Sequence, residues 1–291
     1  MNLFRAALSV VLFLADSALP QTPDFNSPRV SELAPSAPNL KSARVVSWNI
    51  DRGGELDRVS AELEREPPDL CLLQEVDWNA ARTGNRDIAR ELATRLHLNF
   101  AYGIEFEELS QQGDKPAFIG QATLTRLPIR RSRVLRFQNQ SGFWKPRSWI
   151  PSSIPLMQRR LGSRIALITD LDFAGRLLVV YNLHLESRSM GRLQALQLDE
   201  VLADLRTYPP GTAALLGGDL NTKYFPSIFL RKLERAGFRS ATGEHVERTH
   251  RIAMALDWIF VKGSIRFEGG RVRRDFGGSD HYPVYAELDG G

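Results

Sequence analysis

Apolar and polar positions along the chain switch repeatedly between a strand-like and a helix-like period. From Arg44 the run RVVSWNI is short and β-branched, and LDRVSAELEREPPD follows with Leu56, Val59 and Leu63 at helical spacing until Pro67 and Pro68 stop it. LCLLQEV reads as a buried strand, and RDIARELATRLHL aligns Ile88, Leu92, Leu96 and Leu98 on one side of a second helix. NFAYGIEF, GQATLTR, SRIALITDLDF and RLLVVYNLHL are strand candidates. RLQALQLDEVLADLRTY carries the strongest helical spacing, through Leu193, Leu196, Leu198, Val201, Leu202 and Leu205. AALLGGDLN is a strand, SIFLRKLERAG a helix ended by Gly237, and LDWIFVKG and YPVYAELD are closing strands. Alternation with hairpin-like pairs late in the chain predicts an α/β fold with at least one mixed sheet.

Residues 1–43 break this pattern. MNLFRAALSVVLFLADSALP places Arg5 before an apolar run from Ala6 to Ala15, then the small residues Ser17 and Ala18. That is the order of a secretory signal, and the run is too short to span a bilayer as an ordinary helix. The expectation is a signal peptide over residues 1–18 and a secreted or periplasmic protein, with a retained N-terminal membrane anchor as the alternative. Residues 19–43 repeat Pro and Ser without a period and read as an extended linker, which places the folded domain at 44–289.

Composition narrows little further. The 291 residues are 43% hydrophobic, within the range for one large globular domain or two small ones. Cys71 is the single cysteine, which excludes an intramolecular disulfide; its apolar setting in DLCLLQ marks a core residue. The net charge is +4, and only six of the 38 basic residues are lysine. Arginine's planar fork suits phosphate, but a codon bias produces the same excess, so charge selects no partner by itself.

Several strands end on polar residues: Asn49, Glu75, Asn182 and His184, Asp219 and Asn221, Asp257, then Asp280 and His281. Each alone reads as a cap or turn. Together they are carboxylates, amides and imidazoles with no thiolate, a set suited to a hard cation such as Mg²⁺ or Mn²⁺. Imidazoles beside such an ion point to phosphoester hydrolysis. Asp257 lies in the apolar strand ALDWIF, where an unpaired carboxylate is costly, so a cationic His281 is its expected partner.

In this order SWNI, QEV, NLHLES, GGDLNT, LDWIF and SDHYPV resemble the motifs of the endonuclease/exonuclease/phosphatase superfamily, over Arg44 to Leu288. The resemblance implies a four-layered α/β sandwich of the DNase I-like kind, two mixed β-sheets face to face and flanked by helices. It implies Glu75 as the main Mg²⁺ ligand, Asn49 beside it and Asp280 closing the site. His281 would be the general base or a phosphate contact, held by Asp257. Asp219 would orient or deprotonate the attacking water, and Asn221 would contact water or phosphate. Asn182 and His184, two apart, would form a second phosphate clamp, and Tyr102 is either a match to a phosphate-contacting tyrosine or a core tyrosine. Gln121 in GQATLTR departs from the family's asparagine, and no carboxylate pairs clearly with His184; Glu105 and Glu107 are candidates. His97 reads as structural, and His245 and His250 as loop residues.

Residues 126–164 carry Arg130, Arg131, Arg133, Arg136, Lys145, Arg147, Arg159, Arg160 and Arg164 among Phe143, Trp144 and Trp149. Three readings stand: a nucleic-acid groove, a loop whose rings pack on the domain, and a surface that dips into a membrane. The first expectation is an exported Mg²⁺-dependent phosphodiesterase, with nucleic acid the favoured substrate, acting as a monomer without a protein partner. The alternatives are a lipid or inositol phosphate phosphatase or phosphodiesterase, with a membrane phospholipid as one substrate, and a binding protein without activity. The complete set of site residues argues against the last.

Overall fold

Neighbouring residues of a strand bury in opposite directions, and in this chain both directions lead into a core. In β2 (Ser42–Arg52), Val46, Trp48 and Ile50 pack outward against helices while Val45 packs inward against a second sheet. The computed structural model describes residues 23–151, 154, 157–223, 226–242 and 247–291. The signal-peptide stretch and His245 lie outside them.

One sheet runs in the order β1 (Arg29–Ser31), β4 (Asn99–Glu108), β5 (Phe118–Thr125), β3 (Leu70–Trp78), β2, β14 (Val284–Asp289) and β13 (Arg266–Val272), with β7 (Arg160–Gly162) also paired to β4. The other runs β11 (Arg239–Ser240), β12 (Asp257–Lys262), β10 (Ala213–Asp219), β9 (Arg176–His184), β8 (Ile165–Phe173) and β6 (Ile129–Arg136). Both sheets are mixed: β2 pairs parallel with β3, and β9 with β10, within otherwise antiparallel ladders. Helices α1 (Leu56–Arg65) and α2 (Ile88–Arg95) cover the first sheet, and α3 (Arg192–Leu205) and α4 (Pro226–Arg235) the second. Val45, Leu72, Val180, Leu215 and Val284 fill the space between the sheets. The result is a four-layered α/β sandwich.

The linker expectation fails for part of its length. Residues Arg29–Ser31 form an edge strand on β4, and the Arg29 guanidinium lies 3.9 Å above the Trp78 ring and 2.5 Å from Asp87. Asn99 Oδ1 then accepts from the Leu33 and Ala34 amides. These side-chain anchors, spread over the later chain, hold a segment that has no apolar period of its own.

Glycine matters most in the run LLGGDLN. Gly218 has φ +140°, and a Cβ there would collide with the Leu183 carbonyl of the parallel neighbour β9. Gly218→Ala is expected to destabilise the fold by about 2 kcal/mol or more, read as a shifted urea midpoint, because backbone strain and a steric clash add. An unchanged midpoint would show that the strand end relaxes freely.

Candidate active site

Three polar residues come together because β9 and β10 end, and β12 begins, on the same rung. Asp219 pairs in register with His184 on β9 and with Asp257 on β12. Across the gap, Asn49 lies near the end of β2, and its Nδ2 donates to Asp219 Oδ2 at 3.3 Å and reaches Glu75 Oε1 at 3.5 Å. The ladder between β3 and β5 is irregular from Leu73 to Val76, and Glu75 itself has φ +50°. A bulge of this kind re-aims a side chain, which is how a residue in a buried strand comes to line the cleft.

Both histidines converge on one carboxylate oxygen. His184 Nε2 lies 3.6 Å and His281 Nε2 3.9 Å from Asp219 Oδ2. Each is backed by a second acid. His281 Nδ1 is 2.8 Å from Asp257 Oδ2, and His184 Nδ1 is 3.4 Å from Glu105 Oε2, close enough for charge pairing though off the line of a hydrogen bond. Burial disfavours charge on His281, yet Asp257, Asp219 and Asp280 outweigh it and raise its pKa above the usual imidazole value. Glu105 sits where the β4–β5 register shifts, between Ile104 and Phe106, and also holds buried Arg164 Nη1 at 2.6 Å.

Asn221, with φ +49°, turns the chain at the end of β10; its amide N–H donates to Asp219 Oδ1 at 2.9 Å and its Nδ2 to the Leu185 carbonyl. Asp280 is half exposed beside His250, its Oδ2 3.3 Å from His250 Nε2.

Two assigned residues lie elsewhere. Asn182 shares a face with His184, but two residues deeper, about 6.6 Å down the strand. There it clasps the two sheets: Nδ2 donates to the Leu73 and Ala122 carbonyls, and Oδ1 accepts from Gln74. It is fully buried and is not among the residues lining the cleft, so it is not placed as a phosphate clamp. Tyr102 points to the helix-covered side of its sheet, where its hydroxyl donates to the Val76 carbonyl at 3.0 Å, so it is a core tyrosine. Gln121 also spans the sheets, bonding the Ile165 carbonyl and the Leu167 amide.

The arginine-rich stretch divides. Arg130, Arg131 and Arg133 on β6 pair with Asp172, Asp170 and Asp204, while Arg160 and Arg164 reach the cleft with Trp144. Trp144 Nε1 donates to Glu186 Oε1 at 3.3 Å, and Arg159 and Arg188 each lie 4.1 Å from the Phe143 ring. These two rings pack on the domain. Sequence reasoning missed Asp51, Arg52, Thr249 and His250. Thr249 Oγ1 accepts from the Leu256 and Asp257 amides and so fixes the start of β12.

A cleft of about 490 Å³ opens at one end of the sandwich, its walls including Arg52, Glu75, Arg164, His184, Asp219 and His281. The sequence model of the Endonuclease/Exonuclease/phosphatase family matches residues 46–281, from within β2 to the His281 of the site. The chain belongs to this family. Solved members share its fold. An endonuclease/exonuclease/phosphatase from Beutenbergia cavernae is 18% identical, with TM-score 0.61 over 86% of this chain and 72% of that one. Truncated Caenorhabditis elegans TDP2 is 20% identical, with TM-score 0.55 over 85% and 97%. The mannosyl-6-phosphatase of Bacteroides thetaiotaomicron is 15% identical, with TM-score 0.57 over 84% and 98%. Among curated proteins no sequence matches the chain.

Members of the Endonuclease/Exonuclease/phosphatase family are divalent-metal-dependent phosphoesterases, and the donor set here fits such an ion. Burial would raise the Glu75 carboxyl, but His184, Arg52, Arg164 and Arg160 hold its pKa down to about 2, so the cleft contains a firm anion. The Asp51 carboxyl is raised by burial and then by repulsion from Glu75 and Asp280, with Arg52 opposing. Carboxylates therefore crowd this corner. A hard cation relieves that repulsion through carboxylate and amide oxygens.

Proposed function

We propose that the chain is a Mg²⁺- or Mn²⁺-dependent phosphodiesterase with nucleic acid as its favoured substrate. The observation that carries this is the convergence of two acid-backed imidazoles on Asp219 Oδ2. Hydrolysis of a phosphodiester needs a proton taken from water and a proton supplied to a poor leaving group, and two imidazoles flanking one carboxylate provide for both. Glu75 and Asp280, with Asn49 beside them, are the residues that would hold the ion, which offsets phosphate charge when bound. Arg52, Arg160, Arg164 and Lys223 line the same cleft and suit a polyanion. Export of the mature chain as a secreted or periplasmic monomer belongs to the same reading, on the strength of Arg5 and the Ala6–Ala15 run.

Chelation tests the chemistry. EDTA should abolish hydrolysis of bis(p-nitrophenyl) phosphate and added Mg²⁺ or Mn²⁺ should restore it, whereas a rate indifferent to EDTA would remove the metal reading. A panel of plasmid DNA, RNA, sphingomyelin vesicles, inositol phosphates, mannose 6-phosphate and nucleotides tests the substrate. Preference for nucleic acid, with KM rising as salt rises, supports the first reading. A second reading, a phospholipid substrate, rests on exposed apolar residues: Ile252 on the cleft wall is 62% exposed, and Trp149 and Met157 are 70% and 54% exposed. Sphingomyelin as the best substrate would favour it.

A further inference from the structure

His250 lies outside every motif that marks the family, yet the fold brings its ring against the site. Two backbone bonds do this. The Tyr282 amide donates to the Thr249 carbonyl at 2.7 Å and the Arg251 amide to the Asp280 carbonyl at 2.8 Å, which strap 249–251 antiparallel to 280–282 with His250 opposite His281. The two rings meet edge to face, centroids 4.5 Å apart at 87°.

The proton on the His250 ring is assigned by its neighbours. The Ile252 backbone N–H can only donate, and it reaches His250 Nδ1 at 2.9 Å. Nδ1 must therefore present its lone pair, and in the neutral ring Nε2 carries the hydrogen. Nε2 faces Asp280 Oδ2 at 3.3 Å. The Asp280 side chain is 47% exposed, and His250 is the one side chain within ion-pair distance of its carboxylate among the described residues. An exposed carboxylate on a loop samples several rotamers, and one fixed donor restricts that sampling.

We propose that His250 is a positioning residue for cation binding: its Nε2–H restrains the Asp280 carboxylate, while the Ile252 amide fixes the tautomer that makes Nε2 the donor. The inference rests on Asp280 being a metal ligand, as the proposed function holds. Partners that orient a ligating side chain are commonly worth 10–100-fold in metal affinity, so a loss of about 10-fold is expected here, where the contact is long.

The test measures Mn²⁺ binding to the metal-free full chain by calorimetry and electron paramagnetic resonance, without substrate. His250→Phe keeps a ring edge against His281 and removes both nitrogens; His250→Gln returns an N–H near the Nε2 position. The expected results are an affinity about 10-fold weaker for His250→Phe and within about 3-fold of the parent for His250→Gln. Asp280→Asn, carried in parallel, separates the two layers. If Asp280→Asn binds Mn²⁺ as tightly as the parent, Asp280 is no ligand and the inference falls with that assignment. If Asp280→Asn weakens binding but His250→Phe does not, His250 alone loses its role. Equal losses in His250→Phe and His250→Gln overturn the donor argument, and so does a nitrogen coupling to Mn²⁺ that disappears in His250→Phe, since it makes His250 a ligand. Nitrogen-15 spectra of the metal-free parent need no variant to fold: the Nε2–H tautomer supports the proposal, and the Nδ1–H tautomer overturns it.

Discussion

Asp219→Asn is expected to lower turnover of bis(p-nitrophenyl) phosphate by at least about 10²-fold in a protein that still folds, on the scale of losing acid–base function. Asparagine keeps the size of the side chain and one carbonyl oxygen, so it can still accept from the Asn221 amide that now bonds Asp219 Oδ1. It loses the negative charge at Oδ2, the atom that Asn49 Nδ2, His184 Nε2 and His281 Nε2 all face. A neutral amide cannot take a proton from water, and it cannot offset two imidazoles if either becomes cationic. The fold is expected to survive because β10 is held by backbone ladders to β9 and β12 on both sides. Circular dichroism and a thermal midpoint within a few degrees of the parent would establish that. A folded variant with a rate within tenfold of the parent would remove Asp219 from the chemistry, and the convergence of the two histidines would then need another explanation.

Much of this site is legible along the chain because polar residues interrupt apolar strands at their ends, where there is no room for them unless a partner is supplied. Asn49 and Glu75 lie near the ends of β2 and β3, His184 and Asp219 close β9 and β10, Asp257 opens β12 and His281 stands just before β14, and the fold stacks these positions at one edge of the sandwich. Period two assigns a residue to a face but not to a depth or to one of two buried faces. The pattern puts Asn182 on the right face but the wrong level, and Tyr102 looks into the helix-covered core. Glu105 could not be separated from Glu107 by pattern, since the register shift between Ile104 and Phe106 decides which side chain turns inward. The strands that escaped notice, β1, β6, β7, β11 and β13, are short or lie at sheet edges with polar, half-exposed faces, so no apolar alternation marks them. In β6 the run IRRSRVLR looks like a basic loop until Asp170, Asp172 and Asp204 are seen opposite it. His250 depends on a backbone strap to residues thirty positions on, and nothing local in VERTHRIA could have placed it.

Glu105→Ala should be the most damaging single change to stability in the site, with a loss of about 3 kcal/mol by urea denaturation. Glu105 and Arg164 are 1% and 3% exposed, and their charged atoms are 2.6 Å apart. Arg164 cannot shed its proton, so removing Glu105 leaves a buried guanidinium whose Nε already has no hydrogen-bond partner among the described residues. Glu186 and Glu75 lie near enough to favour its charge, which is why the loss is set at the lower end for a broken buried pair. Replacing both partners, as Glu105→Ala with Arg164→Met, removes the stranded charge. The double variant should therefore be more stable than Glu105→Ala alone, a coupling that additive contacts would not produce. A loss below 1 kcal/mol for Glu105→Ala, or a double variant that simply sums the two single losses, would show that Arg164 finds other partners or solvent. The same carboxylate stands 3.4 Å behind His184 Nδ1, so activity separates structure from function. In the double variant, stability returns while His184 stays without its acid, and turnover should remain low.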